Sequence, residues 1–456
     1  MNSAATIDTL AQRFGLDPLT SKVLVVGLGN TGLSVARYLK KLGYTFAVTD
    51  SRDKPTLMDA FFQTMPDTPL FIGGFDEAAF KVATHLVVSP GLALSEKSIV
   101  KALASGAKLL SDIDLLACSV TAPIIAITGS NGKSTVTTML GEMAKACGKK
   151  VAVGGNLGTP ALDLLASNVQ LYVLELSSFQ LERTFALNAA AATVLNLSAD
   201  HLDRHADMAG YAHEKQTIFN GDGVQVINAD DPAVAAMARP DRQCLRFSIK
   251  TTADFYLAKQ GETEYLMHAA QPLMPLAKLP LEGRHNAANA LAALALGSAV
   301  GLDTATMCQA LQTFKGLAHR MQKVGQIRGI HWVNDSKATN IGACVAALQG
   351  YDRKVILLAG GDAKGQDMTE LLPVVKEKAK GVVLMGKDAH LIKQALQDCV
   401  PIYAANTMAQ AVQLAASVAE AGDSVLLSPA CASLDQYKSY QDRGEQFAQA
   451  VFALLP

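Results

Sequence analysis

The octapeptide Thr128-Gly129-Ser130-Asn131-Gly132-Lys133-Ser134-Thr135 follows the apolar run Ile124 to Ile127 and opens a segment with helical apolar periodicity. A strand, a glycine-containing loop and a helix N-terminus in that order form a phosphate cradle. Backbone N–H groups surround phosphate oxygens, Lys133 neutralises the terminal phosphates, and the Ser134 hydroxyl suits Mg²⁺. The loop departs from the common GxxxxGK[ST] spacing, because Ile127 stands where the first glycine falls. The strand context and the Gly-Lys-Ser-Thr ending still favour phosphate binding over a coincidental turn.

Working outward, Glu175 closes the apolar run Leu171 to Leu174, so a parallel sheet would deliver its carboxylate to the edge that carries the loop. The spacing predicts a further strand over Thr193 to Leu197, running into Asp200-His201-Leu202-Asp203-Arg204-His205. That segment has oxygen and imidazole groups but no thiolates, and no HExxH helix accompanies it, so Mg²⁺ with nucleotide phosphates fits better than zinc. Downstream, Asn334-Asp335-Ser336-Lys337-Ala338-Thr339-Asn340, Gly360-Gly361-Asp362-Ala363-Lys364-Gly365 and Ser428-Pro429-Ala430-Cys431-Ala432-Ser433 each follow an apolar run. Any one of them reads as a capping turn; together on one sheet edge they offer donors for carboxylates and phosphates.

Upstream, Gly27-Leu28-Gly29-Asn30-Thr31-Gly32 joins a strand to a helix, and Asp50 ends the next strand. This is the dinucleotide-fold fingerprint in context, equally compatible with a nicotinamide or flavin cofactor, another nucleotide, or a packed turn. A nicotinamide-dependent oxidoreductase and a nucleotide-controlled binding module are therefore rival readings, although the phosphate loop and its acids have no role in the first.

The 456 residues give a prior of about three domains at roughly 150 residues each. Apolar runs alternate with helix-length segments throughout, which predicts an α/β protein: a Rossmann-like unit over 1–115, a central P-loop-like unit with a parallel or mixed sheet over 116–317, and a second Rossmann-like unit over 318–456. Five strands are expected in the last, at Ile330 to Val333, Lys354 to Leu358, Val382 to Met385, Ile402 to Tyr403 and Val425 to Leu427. Half the residues are hydrophobic and mean hydropathy is +0.19, so global disorder is excluded. A formal net charge of −1 supplies no overall pull toward nucleic acid. The seven scattered cysteines include no CxxC, and the start of the chain lacks a secretory pattern. The alanine-rich stretch Ala287 to Leu302 is interrupted by Asn289, Gly297, Ser298 and Gly301, which predicts a buried helix, not a membrane span. A cytoplasmic chain without membrane insertion is expected.

Taken together, TGSNGKST, Gly155 to Gly158, ELSSFQLE at Glu175 to Glu182, DHLDRH, Gly283 to Asn289, His319-Arg320, NDSKATN and SPACAS followed by DQYKSYQDRG resemble the Mur ligases of peptidoglycan synthesis. Several of these segments are shared with folylpolyglutamate synthases; the last two point to the branch that adds D-glutamate. The resemblance covers nearly the whole chain and implies an ATP-dependent amide ligation through an acyl phosphate and a tetrahedral intermediate. It assigns Gly129, Ser130, Asn131, Gly132, Lys133, Ser134, Thr135, Asn286, Asn289, Arg320 and Asp335 to ATP. Mg²⁺, as two ions, would be held by Ser134, Glu175, His201 and a carbamylated Lys215, and catalysis would centre on Lys133, Glu175, His201 and Lys215. UDP-MurNAc-L-alanine would meet Asn30, Thr31, Asp50, Ser51, Arg52, Ser89, Gly91, Asn156 and His201. D-Glutamate would meet Lys337, Thr339, Lys364, Ser433 and Tyr440. By its own sequence context Lys215 reads as a helix-surface lysine. A monomer is expected.

Overall fold

The computed structural model describes residues 3–200, 204–205, 207–281, 283–351, 353–397 and 399–455. Their strands form three sheets, in agreement with the α/β class expected. In the first, β1 (Lys22–Val26), β2 (Thr45–Thr49), β3 (Leu70–Phe71), β4 (His85–Val88) and β5 (Lys108–Leu110) are all parallel in the order β3-β2-β1-β4-β5. The order reverses between β1 and β4, which opens a crevice at their carboxyl ends. Gly32 sets how closely the following helix, Asn30–Lys41, approaches β1: a Cβ there would run into the Gly27 carbonyl.

The central sheet comprises β6 (Ile124–Thr128), β7 (Val151–Gly155), β8 (Leu171–Glu175), β9 (Ala191–Val194), β10 (Val224–Asn228), β11 (Cys244–Ser248), β12 (Phe255–Gln260), β13 (Thr263–His268) and β14 (Gln271–Pro275). Its order is β14-β13-β12-β11-β10-β9-β6-β8-β7, antiparallel only through β12, β13 and β14. β6 lies between β8 and β9, with Ile127 opposite Glu175 and Thr128 opposite Val194, so the phosphate loop and Glu175 leave the sheet at one edge. β9 ends earlier than its apolar pattern predicts. Beyond Leu195 the chain serves the phosphate loop: Asn196 Oδ1 accepts the Asn131 amide at 2.8 Å, and Asn196 Nδ2 donates to Asn131 O at 3.0 Å.

The third sheet holds β15 (Gln322–Ile327), β16 (Ile330–Asn334), β17 (Val355–Ala359), β18 (Ala379–Leu384), β19 (Ile402–Ala404) and β20 (Ser424–Leu427), ordered β15-β16-β20-β17-β18-β19. The five expected strands are present; β15 is additional. Its sequence QKVGQI carries no apolar run because it is an edge strand, paired antiparallel to β16 alone. The two-residue turn Arg328-Gly329, with φ of 55° and 77°, supplies the hairpin's positive dihedrals.

One apolar core runs from the first sheet, through Val23, Val25 and Leu110, into the central one at Ala126 and Leu174, with Phe219 of the short helical turn Thr217–Phe219 packed into it. The opposite face of the central sheet is covered by the alanine-rich helix Arg284–Ala299, in which every residue from Ala290 to Gly297 is buried. No helix among the described residues is long and apolar enough to cross a membrane. Two further cores cover the faces of the third sheet. All seven cysteines are free.

Candidate active site

The phosphate loop is shaped by Gly129 and Gly132, with φ of 147° and 85°, which L side chains rarely adopt. Ser130 Oγ is clasped by Ser198 N at 2.9 Å and lies 3.2 Å from the Tyr211 hydroxyl. Lys133 Nζ donates to Gly129 O at 2.6 Å and Ser130 O at 2.9 Å. Ser134 and Thr135 are buried in the first turn of the helix Lys133–Ala146, and Arg320 Nη2 donates to Ser134 Oγ at 2.9 Å from the third sheet's side.

Glu175 is 2% exposed at the end of β8; its Oε1 accepts Asn156 Nδ2 at 2.8 Å, while the buried Oε2 has no partner. An orphaned buried carboxylate oxygen beside a phosphate loop has the donor chemistry that Mg²⁺ requires. Lys215 corrects its sequence-based surface reading: on the helix Met208–Gln216 it is 1% exposed. Its Nζ donates to Thr128 Oγ1 at 3.2 Å and Gly129 O at 3.1 Å. Burial, reinforced by the nearby Lys133 ammonium, drives its pKa well below the usual lysine value. Two ammonium groups thus compete for one carbonyl, and the neutral amine favoured by that crowding is the form that reacts with CO₂. His201 lies outside the described residues, and among those described no group of three or more His, Cys, Asp or Glu could hold a metal.

A cavity between the central and third sheets is lined by Asn131, Gly132, Asn286, Asn289, Arg320 and Asp335, together with Thr135 and Lys337. Asn289 Nδ2 donates to Asn286 Oδ1 at 3.2 Å. Asp335 accepts Ser428 Oγ at 2.9 Å and the Met321 amide at 3.2 Å; burial raises its pKa to about 7. Lys337 Nζ sits 3.9 Å from the centre of the Tyr440 ring, and burial, then Arg320, lowers its pKa to about 8. Ser433 is buried, and Thr339 is half-buried with its amide on Lys337 O at 2.8 Å. Lys364 stands apart, exposed on left-handed backbone with φ of 48°.

In the first sheet's crevice, Asp50 is already engaged. Its carboxylate accepts Leu28 N at 2.7 Å, Arg52 N at 3.0 Å, Arg52 Nε at 2.8 Å and Arg52 Nη2 at 2.7 Å. Burial alone would raise the Asp50 pKa, but the Arg52 bonds outweigh it and the net shift is downward. Asn30, Ser51 and Gly91 are exposed, and Thr31 and Ser89 half-buried, around the same carboxyl edge. Exposed Asn156 bridges toward the centre through Glu175.

Residues 21–111 match the Mur ligase MurD-like N-terminal domain, 127–297 the Mur ligase middle domain, and 319–431 the Mur ligase glutamate ligase domain. A protein of Methylococcus capsulatus named UDP-N-acetylmuramoylalanine--D-glutamate ligase is 52% identical over 97% of this chain and 96% of its own. The chain belongs to the Mur ligase family. The Pseudomonas putida protein of the same name is 48% identical over 94% of this chain and 97% of its own. Among solved structures, the Mur ligase fold is shared with UDP-N-acetylmuramate-alanine ligase from Thermotoga maritima, at 18% identity and a TM-score of 0.60 over 95% of this chain and 99% of that one. E. coli FolC, solved with DHPP and ADP, aligns at 17% identity and a TM-score of 0.57 over 76% and 92%.

Two residues carry contacts that their sequence context does not assign to them. Asp200 Oδ2 accepts Asn340 Nδ2 at 3.1 Å and so links the central and third sheets. Arg443, 2% exposed, donates to Ser336 O, Cys431 O and Ser336 Oγ, tying two of the third unit's edge loops together. Its sequence signal is a lone arginine beside Gly444 in DQYKSYQDRG.

Proposed function

We propose that the chain ligates D-glutamate to UDP-N-acetylmuramoyl-L-alanine at the expense of ATP, for peptidoglycan precursor synthesis. The carrying observation is half-buried Lys133 with buried Glu175 and Lys215 around the phosphate loop, and Arg320 reaching in from the third sheet. The nearly full-length match, at 48–52% identity, to relatives named for this ligation supports these substrates.

The chain divides the work among units at 1–115, 116–317 and 318–456. The first takes the uridine nucleotide through Asn30, Thr31, Asp50, Ser51, Arg52, Ser89 and Gly91, with Asn156 from the second. The phosphate loop, Asn286, Asn289, Arg320 and Asp335 hold ATP, and Lys337, Thr339, Lys364, Ser433 and Tyr440 orient D-glutamate. The L-alanyl carboxylate attacks the γ-phosphorus, forming an acyl phosphate and releasing ADP. The D-glutamate amine then attacks the acyl carbon, and the tetrahedral intermediate expels phosphate as the amide forms and the amine proton departs. Lys133 and Arg320 face the charge that moves between the phosphate oxygens. Lys337, its pKa lowered to about 8, pairs with a carboxylate of the incoming amino acid while still largely charged at neutral pH. Ser134, Glu175, His201 and a carbamylated Lys215 would hold magnesium as two ions, which would supply charge neutralisation at the transferring phosphoryl group. Carbamylation joins the neutral Lys215 amine to CO₂ with loss of one proton, turning a cation into a carboxylate-like donor. On this reading the chain works as a cytoplasmic monomer.

Phosphate release from ATP tests the proposal. Release should require both UDP-MurNAc-L-Ala and an amino acid, with D-glutamate preferred over L-alanine and meso-diaminopimelate; release with another amino acid and none with D-glutamate overturns it. Hydroxylamine should trap the acyl phosphate. Lys215→Ala should abolish turnover, and removal of bicarbonate should slow the parent; full activity in the variant excludes the carbamate.

A further inference from the structure

Outside the residues already assigned, one fully buried cation lies at the junction of the first and central units. Arg183 follows the short helix Ser178–Leu181 of the central unit and is 1% exposed. Its guanidinium reaches out of that unit: Nη1 donates to Val88 O at 3.3 Å and Ser89 O at 2.9 Å, and Nη2 to Leu92 O at 3.1 Å. These carbonyls belong to the end of β4 and the turn after it, closed by Leu92 N on Ser89 O at 3.0 Å. Glu182, at 2.9 Å, supplies the counter-charge.

A second arginine approaches the same turn. Arg204 Nη1 donates to Gly91 O at 3.2 Å and Nη2 to Leu92 O at 3.1 Å, so Leu92 O receives both guanidinium groups. Arg204 also lies 4.6 Å from the centre of the Phe179 ring, which stacks on His205 at 5.3 Å; His205 meets Tyr211 at 5.1 Å, and Lys215 Nζ lies 4.6 Å over Tyr211. The residues after Arg183 are gripped from the other side. Asp114 Oδ1 accepts Phe185 N at 2.7 Å and Ala186 N at 2.6 Å, and Thr184 Oγ1 lies 3.0 Å from Ser111 Oγ.

A turn that presents three carbonyls to two cations, with a fourth from the end of β4, is held from outside; its own backbone closes it with a single bond. We propose that Arg183 is a positioning residue for the uridine-nucleotide substrate, holding the Ser89–Leu92 turn in the conformation that presents Ser89 and Gly91 and fixing that turn to the segment following Glu175. Arg204 supports the same turn and connects it through a series of ring contacts to Lys215. The assignment rests on the uridine-substrate reading of the first unit given above. Neither residue touches the reacting atoms, so its effect falls on substrate affinity.

The experiment compares Arg183→Met, which retains the buried stem, with Arg183→Lys and Arg204→Met in the full chain. It measures KM for each of the three substrates, kcat, and an equilibrium titration with UDP-MurNAc-L-Ala. Arg183→Met should raise KM and Kd for UDP-MurNAc-L-Ala by about tenfold or more, leaving KM for ATP and D-glutamate within about twofold. Arg183→Lys should recover part of the loss, since one ammonium reaches some of the carbonyls without the planar fork. A folded Arg183→Met with UDP-MurNAc-L-Ala affinity within about twofold of the parent overturns the assignment, as does an equal loss for all three substrates. If Arg183→Met does not fold, half-exposed Arg204→Met decides: a selective rise in the UDP-substrate KM supports the locked turn, and no rise overturns it. A parent that fails to bind UDP-MurNAc-L-Ala overturns the functional reading and this assignment with it; a binding parent with an unaltered Arg183→Met overturns this assignment alone.

Discussion

Replacing Arg443 with methionine should loosen the third unit and weaken D-glutamate use together. The guanidinium donates through Nε to Ser336 Oγ at 3.0 Å, through Nη2 to Ser336 O at 2.8 Å, and through Nη1 to Cys431 O at 3.1 Å and Ala432 O at 3.4 Å. Ala432 O keeps the Asp362 amide and Ser336 Oγ keeps its own bond to Tyr440 O, so the loss falls on the carbonyls of Ser336 and Cys431. Two buried acceptors left short of a donor cost about 1–3 kcal/mol each. Relief from desolvating the cation offsets part of that, leaving a net loss of about 1–4 kcal/mol. At roughly 3–4 °C per kcal/mol for a unit of this size, the melting midpoint should fall by about 3–16 °C. The chain's single tryptophan, Trp332, is buried in β16, so its fluorescence follows this unit and not the other two. The same loops carry Lys337 and Ser433, so KM for D-glutamate should rise in parallel. An unchanged Trp332 transition with an unchanged KM would refute the view that this cation assembles the two loops.

Two further substitutions probe the fold and its pH response. Gly32→Ala should cost about 2–3 kcal/mol and weaken UDP-MurNAc-L-Ala binding, because the added Cβ meets the Gly27 carbonyl; parent-like stability and affinity would contradict the close approach. Burial lowers the His285 pKa from 6.5 to about 4, and its Nδ1 has no partner. Below about pH 6.5 the unfolded chain therefore binds a proton that the native state refuses, and stability falls as pH drops from about 6.5 to about 4. His285→Gln should flatten that slope in denaturant titrations followed by circular dichroism at pH 7 and pH 5; an identical slope would count against the buried neutral imidazole.

What could be read from the sequence was mostly what is local. The phosphate loop declares itself through a strand, two glycines and Lys133-Ser134 within one short window, and Glu175 through its place at the end of an apolar run. Lys215 could not be read this way. Its helix, MAGYAHEKQ, has no apolar stripe, and its burial comes from packing against Tyr211 and the loop backbone, contacts set by tertiary structure. β15 is silent in the sequence for the opposite reason: an edge strand needs no apolar run when its partner supplies the ladder. The Thr193 to Leu197 pattern runs past the end of β9 because Leu195 and Leu197 look like ladder residues, while the intervening Asn196 serves the phosphate loop. Asp50 was legible as a strand-end acid, but its capture by Arg52 and the Leu28 amide required the folded turn.

The bond from Arg320 to Ser134 joins positions 186 residues apart. It makes the two positions energetically non-additive. Ser134→Ala and Arg320→Met each remove the same hydrogen bond, so the double variant should lose less than the sum of the single losses. A substitution scan of the phosphate loop cannot then be interpreted position by position, since part of the deficit charged to Ser134 belongs to the docking of the third unit. Epistasis between 134 and 320 measures that share.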